Sequence, residues 1–445
     1  IHDEDLDDDN LVNFQDNKFN GKVRIKKHLG TDDQTADEDL VSEVTDWTTN
    51  HRLRGIAYLY IRLDNADAEV FSGSIPNVSA WVRGKIITET RSGPTSQFSL
   101  NPALILRDYL VTTTDEMGMG FDAANEIDDT FTDSAANICD QFVTVTDVAK
   151  TVNSVKLSTD DTHKGTGVLD FADDTLIFQT GDQVDVTSTG SVPTGLGTGL
   201  YAVPYRRKRS NFLNGDIRMW PSMQFASSYA NAVAGTVITL TDKGSGTITV
   251  TKKAEPRYTT NGVVDSEEEP NTVVEELLSP MGGRAVHIGG LWRIYAAGFI
   301  SPTISLDEND LRDNMKVQTR HSRRERFNAV KGTYISPINN GVRAEYPPIT
   351  NATYKTEDNE IRIWRELDLD FVSRAHQAQR LAKIALEKHR QQIRVEYPTK
   401  LTGYQLQPTD TVQITNTRMG WTNKEFEVIE LTVVPAGDNE DEGAG

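Results

Sequence analysis

The stretch Gly195-Leu196-Gly197-Thr198-Gly199 has the glycines of a phosphate-cradling loop but not the setting. No helical pattern follows it to hold a pyrophosphate on its N-terminal amides, and no P-loop or G-x-G-x-x-G after a strand occurs, so it reads as a flexible turn. The eight histidines are scattered, with no i, i+4 pair of the zincin type. His376 and His389 share a predicted helix but stand too far apart along it to chelate one ion. No G-x-S-x-G elbow is present. Cys139 falls in an amphipathic pattern that expects a small buried hydrophobe, with no local basic cluster to lower its pKa. The 66 acidic residues offer many carboxylate pairs, but a glycosidase needs two at a set separation in an aromatic cleft, and chance pairing is the reading here. The chain is read as no enzyme: no catalytic, cofactor-binding or metal-ligating residue is assigned, and no cofactor is expected.

Two basic runs are the remaining candidates. Arg206-Arg207-Lys208-Arg209 and Arg320-His321-Ser322-Arg323-Arg324-Glu325-Arg326 could each contact phosphate, but both are short and embedded in a chain of net charge -20. Salt bridging to an acidic neighbour or subunit is the better reading, and a phosphate-gripping role for the whole chain is a poor match. With 445 residues, 37% hydrophobic and 8% aromatic, the chain can bury real cores and predicts two to four domains. Mean hydropathy is -0.48 and no apolar run approaches 18 residues, which argues against a transmembrane helix. One cysteine allows no intrachain disulfide and no cysteine-based zinc site, so no oxidising compartment is implied. The chain opens on Ile1 without a basic n-region or apolar h-region, which reads as a piece of a longer protein with no signal peptide in view.

The elements that would position such residues follow from periodicity. The acidic clusters Asp3 to Asp9 and Gly437 to Gly445 read as solvated ends. Asp32 to Asp39 is also read as solvated acid, although Asp37-Glu38-Asp39 could open a short helix continuing through Leu40, Val41, Val44 and Trp47. Gly55 to Leu63 and Trp81 to Ile87 read as strands, separated by a break at Ile75-Pro76-Asn77. Asn101-Pro102 opens a helix with Ala103, Leu104, Leu106, Leu110 and Val111 on one face. A second helix is expected over Asp122 to Asp140, with Ile127, Phe131, Ala135 and Ile138 inward. Asp147 to Pro256 turns rich in Thr, Gly, Ser and Val, with strand-like patches at Asp185-Val186-Thr187 and Val237 to Thr241 and a turn at Lys243-Gly244-Ser245-Gly246: a small all-β module inserted between two halves of a host domain. Helical sequence resumes at Pro270 to Met281, followed by a strand over Gly289 to Tyr295. Phe371 to Gln392 predicts a helix of about 33 Å with an alanine-rich apolar stripe from Phe371 to His389, leaving Arg374, Lys383, Glu387, Lys388 and Arg390 off the stripe. Thr411 to Asn416 and Glu425 to Ile429 read as a terminal hairpin or barrel pair.

A collinear set of short motifs then gives a resemblance. Trp47 to Leu59, Ile75-Pro76-Asn77-Val78, Arg83-Gly84-Lys85, Asn101-Pro102-Ala103 with Leu106 to Leu110, and Ala135 to Asp140 fall in the first part. Arg257 to Gly262, Gly290 to Ile294, Asn328 to Gly332, Ala378 to Ile384, and Gly420-Trp421 through Lys424 to Val428 fall in the second. Together they resemble siphophage tail-tip central hub proteins, the family of the lambda-type tip attachment (host specificity) protein, over roughly residues 45 to 146 and 257 to 434. Residues 147 to 256 depart from that pattern, and Thr180 to Thr249 within them resembles a small β module inserted in various phage structural proteins.

The resemblance implies an α+β, mainly β, multidomain phage tail hub with β-barrel-like domains, related to the contractile-tail baseplate hub, plus the inserted all-β module. The divisions read from it are residues 1–99, an N-terminal β-rich hub domain; 100–146, a helical hub segment; 147–256, the inserted module; 257–366, the continuing hub core of mixed β; and 367–445, the long helix, a β-barrel-like hub domain and an acidic tail. It implies a homotrimeric ring at the virion's tail tip, assembled in the host cytoplasm, joining tail tube to tip and forming the channel for DNA ejection. Implied partners are distal tail and tail tube proteins, the tape-measure protein, other tip proteins and fibres, DNA passing in the lumen without specific binding, and a host envelope receptor reached through regions beyond this chain. A conduit must not grip DNA, and part of the net -20 is expected to line the channel. Two alternatives stand beside this reading: a receptor-binding adhesin using the inserted module, and a tail-associated cell-wall hydrolase.

Overall fold

A computed structural model describes residues 21–433 apart from 65–70, 72–77, 79–81, 83, 92, 94, 158–166, 172–177, 211–216, 266, 321, 323 and 338–340. The two terminal acidic clusters, the Ile75-Pro76-Asn77 break, Trp81 and Arg83 lie outside these residues.

The first unit is a ribbon of β1 (Val23–Leu29) and β2 (Ala57–Leu63), antiparallel from Val23↔Leu63 to Leu29↔Ala57. Alternation puts Arg24, Lys26 and His28 on one face across from Arg62, Tyr60 and Tyr58. Helix α1 (Glu38–Glu43) lies over that face, started by Asp37, whose carboxylate accepts from the Leu40 amide at 2.9 Å. Asp39 and Glu43, one turn apart, pair with Arg24 at 3.1 Å each; Asp39 also takes Lys26 at 2.6 Å and Glu43 takes Arg62 at 2.7 Å. Asp37 is buried and sits 2.7 Å from His28. The expectation of solvated acid is therefore wrong at Asp37 and Asp39, which a basic strand face meets, while Glu38 between them is exposed. The helix stops before Val44 and Trp47, with the Val44 amide closing it onto the Leu40 carbonyl.

The central core begins after the short hairpin β3 (Ile86–Glu89) and β4 (Thr95–Phe98). Helix α2 (Pro102–Val111) is capped by Asn101, with proline in its first turn where a missing N–H is harmless, and buries Ala103, Leu104, Leu106 and Leu110. Helix α3 (Asp129–Asp140) packs beside it, tied by the Asn101 side-chain amide donating to the Ala136 carbonyl at 2.9 Å. The expected start at Asp122 is corrected to Asp129. Ile127 instead forms a bridge with Trp292, whose backbone exchanges hydrogen bonds with Glu126 and Asp128 at 2.7 and 2.9 Å.

Six strands then close into a barrel in the order β10-β5-β6-β9-β8-β7: β5 (Phe142–Lys156), β6 (Val168–Phe171), β7 (Gln183–Ser188), β8 (Leu200–Ser210), β9 (Ile217–Ala226) and β10 (Ile248–Pro256). Leu169, Phe171, Val184, Val186, Ala202, Met223, Phe225 and Val250 fill it. Val237 to Thr241 is not a strand; the segment follows helix α4 (Tyr229–Ala234), buries Leu240 in the barrel core, and its Ile238 amide bonds to the Phe225 carbonyl at 2.7 Å. The chain enters the barrel at Phe142 and leaves at Pro256, and these two residues are paired.

Beyond the barrel come α5 (Pro270–Leu278) and the hairpin β11 (Arg284–Ile288) with β12 (Leu291–Tyr295). Gly289 and Gly290, at φ +62° and +89°, supply the turn that a two-residue hairpin loop needs. A C-terminal unit holds the parallel pair β13 (Ile304–Leu306) and β21 (Thr411–Asn416), with β22 (Trp421–Glu427) antiparallel to β21 and β14 (Lys316–Gln318) paired to β20 (Arg394–Glu396). Leu306, Leu406, Val412, Ile414 and Trp421 form its core. Between its two halves run β15 (Ala329–Lys331), flanked by β18 (Ile349–Thr350) and β19 (Trp364–Glu366), the hairpin β16 (Thr333–Ser336) and β17 (Val342–Glu345), and helix α6 (Ala352–Glu357).

Helix α7 (Ala375–Arg390) buries Gln377, Ala378, Leu381, Ala382 and Leu386 against the central core. Its 16 residues span about 24 Å at roughly 1.5 Å per residue, shorter than expected. Phe371 and Val372 are buried but not helical, because their carbonyls accept the amides of Asn261 and Ile335 at 3.0 Å each. Among the described residues no helix is long and apolar enough to cross a membrane.

Candidate functional site

The densest polar cluster sits where the barrel meets α7. Alternation along β10 turns Lys252 inward at the barrel's end, and a bulge between Lys252 and Ala254 lets Glu255 face the same way. The loop before β7 contributes Asp182, fully buried. From the other side comes Arg374, the extended residue preceding α7, only 2% exposed. Its guanidinium bonds to Asp182, to the Thr180 carbonyl at 2.9 Å and to the Thr259 hydroxyl at 3.1 Å, and stands 3.7 Å from Glu255. Lys252 lies 2.9 Å from Asp182 and 2.8 Å from Glu255, and Arg380 lies 2.7 Å from Glu255. Gln377, also buried, clasps the Thr259 and Pro280 carbonyls at 2.8 Å. Gln179 donates to the Ser373 carbonyl at 2.7 Å.

Burial pushes the Glu255 carboxyl up, but nearby His376 and the charges of Lys252, Arg374 and Arg380 more than reverse this and hold it far below the usual carboxylate range. Burial likewise opposes the charge on Arg374, and Asp182 with Glu255 restores and exceeds it. A carboxylate saturated by three cations is a poor proton acceptor. The cluster is a clamp between two bodies rather than an acid–base pair.

A cavity of about 260 Å³ opens between α2, the β3–β4 hairpin and the chain after the barrel. Ile87, Phe98, Ile105, Tyr109, Leu277 and Phe371 line it, with the Lys85–Asp108 ion pair, 2.9 Å, at its wall. The Thr112 hydroxyl, also in its lining, accepts from the Lys85 ammonium at 2.7 Å and donates to the Asp108 carboxylate at 3.4 Å.

The residues singled out by sequence go to different places. Cys139 is fully buried, and burial pushes its thiol up. His376 stands 3.7 Å from Glu255, an ion-pair rather than a hydrogen-bond distance, whereas His389 stacks on Phe327 with ring centroids 4.0 Å apart. Gly195 and Gly199 have φ of +91° and +70°, and the Gly199 amide is taken by the Asp185 carboxylate at 2.8 Å. Arg326 lies 3.9 Å from Asp358, a carboxylate also held by Arg390 and Asn328; His321 and Arg323 lie outside the described residues. Arg206 to Arg209 lie on β8. Arg374 was expected off the buried stripe and is instead the most deeply placed cation of the clamp. One signal pointed to it: arginine is a poor helix-capping residue at the positive end of a helix dipole, and its presence there asks for carboxylates.

Residues 269–430, from the start of α5 through β22, match the family model described as "Putative phage tail protein". This part of the chain is similar to phage tail proteins. The match begins 13 residues after the barrel ends at Pro256 and takes in the hairpin β11–β12, α7 and the C-terminal unit. Three solved structures are similar in part. A chain of the virion of a native gene transfer agent (GTA) particle has 10% identity and a TM-score of 0.31, covering 66% of this chain and 81% of that one. The 43 kDa tail protein of prophage MuSo2 from Shewanella oneidensis has 12% identity and a TM-score of 0.26, covering 56% and 88%. Prophage tail protein gp18 from Listeria monocytogenes EGD-e has 10% identity and a TM-score of 0.23, covering 62% and 87%. At these scores the likenesses carry no argument about the whole fold. No curated protein matches the chain.

Proposed function

We propose that this chain is a structural component of a phage tail: a central hub at the tail tip whose three copies form a ring joining tube to tip, with a bore for DNA ejection. The observation that carries the reading is the tail-protein match over residues 269–430, which contains, in order, Gly290 to Ile294, Asn328 to Gly332, Ala378 to Ile384 and Trp421 to Val428, the hub-like motifs of the second half. The role is one of shape and not of catalysis. Its support is the state of the buried titratable groups, since Glu255, Asp182 and Asp358 are each consumed by cations. Part of the net -20 faces the bore and repels passing phosphates. Partners are neighbouring tail proteins, and the place of work is the virion.

Antibody raised against the chain and imaged on intact particles tests the placement. Label confined to the distal end of the tail is the expected result; label along the shaft, on the head, or absent from particles contradicts it.

A further inference from the structure

The cavity beside α2 joins an apolar lining to an acidic rim. At about 260 Å³ it is smaller than the roughly 300–1,000 Å³ of small-molecule pockets and suits a single large side chain. Met117, in its lining, is 57% exposed, so the cavity opens to the surface there. The lining includes Val264, and the exposed chain directly after it carries Asp265, Glu267, Glu268 and Glu269; Glu116, also exposed, belongs to the lining itself. None of these five carboxylates is in an ion pair among the described residues. Their field is felt inside. Burial and the Glu268 charge push the Tyr109 phenol up, and burial, Glu268 and Asp370 push the neighbouring Glu276 carboxyl up. An apolar pocket under an uncompensated negative rim is the complement of an apolar side chain flanked by cations.

The same chain presents such a side chain elsewhere. Trp364 opens β19, the edge strand of its three-stranded sheet, and is exposed between Arg362 and Arg365. The carboxylates beside it are already taken: Glu360 by Lys355 at 2.9 Å and Glu366 by Lys331 at 3.0 Å. Arg362 donates to the Asn328 and Asn351 carbonyls, and the Arg365 guanidinium lies over the Phe327 ring at 5.4 Å; neither is in an ion pair among the described residues. The other exposed aromatic side chains fit less well. Phe142 packs on Tyr201 and Tyr229, Phe299 has no charged neighbour in sequence, and Tyr404 belongs to a turn tied to Asp310 through Thr402 at 3.0 Å. Tryptophan and arginine are also the residue types that dominate protein contact hot spots.

We propose that Trp364 of one copy seats in the cavity beside α2 of a second copy, with Arg362 and Arg365 meeting the acidic rim. The proposal rests on the reading of the chain as a ring of copies. Trp364 is not among the residues lining its own chain's cavity, so the contact is between molecules. The two patches are unlike, which makes the interface heterologous: each copy gives a tryptophan to one neighbour and a pocket to the other, and such contacts close into a ring when the rotation allows. With 66 acidic against 46 basic residues, copies repel one another in general, and a local cationic patch aimed at the most acidic mouth selects one docking mode among many.

The test is sedimentation velocity of the full chain over a range of concentration, comparing wild type with Trp364→Ala, with Glu116→Lys/Glu268→Lys, and with a mixture of these two variants. A control, Glu396→Lys/Glu425→Lys, makes the same change in net charge on β20 and β22. Wild type is expected to form species larger than a dimer. Each of the first two variants shifts assembly to about tenfold higher concentration or more, while the control assembles as wild type does. Mixing the two variants restores association but stops it at a one-to-one dimer, because one keeps only the tryptophan and the other only the pocket. A variant that had merely lost its fold would not be rescued in this way. Single variants that assemble at the wild-type concentration, or a mixture that stays monomeric, overturn the docking proposal and leave the ring reading standing. Assembly weakened by rim reversal but not by Trp364→Ala gives the pocket to another segment and overturns the proposal. A wild-type chain that stays monomeric at every concentration overturns both.

Discussion

At the scale of single residues, Arg374 shows how far a side chain's setting can lie from its local pattern. Its neighbours Ala375 and Ala378 belong to a legible apolar stripe, and a charged residue at the stripe's edge reads as solvent-facing. Its partner Asp182 is 192 residues away, so no local window could have placed it. Asn101 and Pro102 were legible for the opposite reason: cap and first-turn proline act on their own helix. Replacing Arg374 by Met leaves Asp182 and Glu255 under-compensated in a buried site and is expected to cost about 3–5 kcal/mol, read from denaturant midpoints at neutral pH. Loss below about 0.5 kcal/mol, the ordinary range of a surface substitution, would contradict the clamp. The pH dependence has a definite sign. Glu255 has a folded pKa below its ordinary value, so its contribution is fully present above the unfolded pKa near 4.5 and is lost as acid titrates it in the folded state. Glu255→Gln is therefore expected to destabilise the protein at pH 7 and to flatten the fall in stability below about pH 4.5. An unchanged acid limb in the variant would place the relevant carboxylate elsewhere.

At the scale of elements, what could be read locally was read, and what depends on distant chain was not. Helix α2 and strand β21 follow from cap, proline and alternation within their own windows, whereas β22 runs Trp421–Glu427 rather than Glu425 to Ile429, its register set by pairing with β21. The start of α3 was misplaced because Ile127 is claimed by Trp292, and the start of α7 because Phe371 and Val372 are claimed by Asn261 and Ile335. Val237 to Thr241 alternates like a strand, but the six barrel strands close without it and Leu240 joins the barrel core from outside the sheet. The barrel's two connections are adjacent, with Phe142 paired to Pro256, the arrangement that tolerates removal of an insert. Replacing residues 142–256 by a short turn, together with Arg374→Met to avoid a bare buried charge, is expected to leave a cooperatively melting core with α2, α3, α5 and α7 intact. A chain that loses its helical far-UV signal altogether would mean that the barrel is needed for the core to fold.

At the scale of the whole molecule, the account joins a tail-protein match over residues 269–430 to a chain whose polar clusters hold parts together. The likeness to phage tail proteins over the second half of the chain was legible in the sequence, because it lies in short collinear motifs within residues 269–430. The clamp and the cavity beside α2 were not, because each is assembled from segments far apart in sequence. The most direct measurement is a cryo-EM reconstruction of the distal end of a native tail containing this chain. Three copies closed around a continuous bore at the end of the tube are predicted; isolated single copies, or a position away from any central passage, would contradict the account.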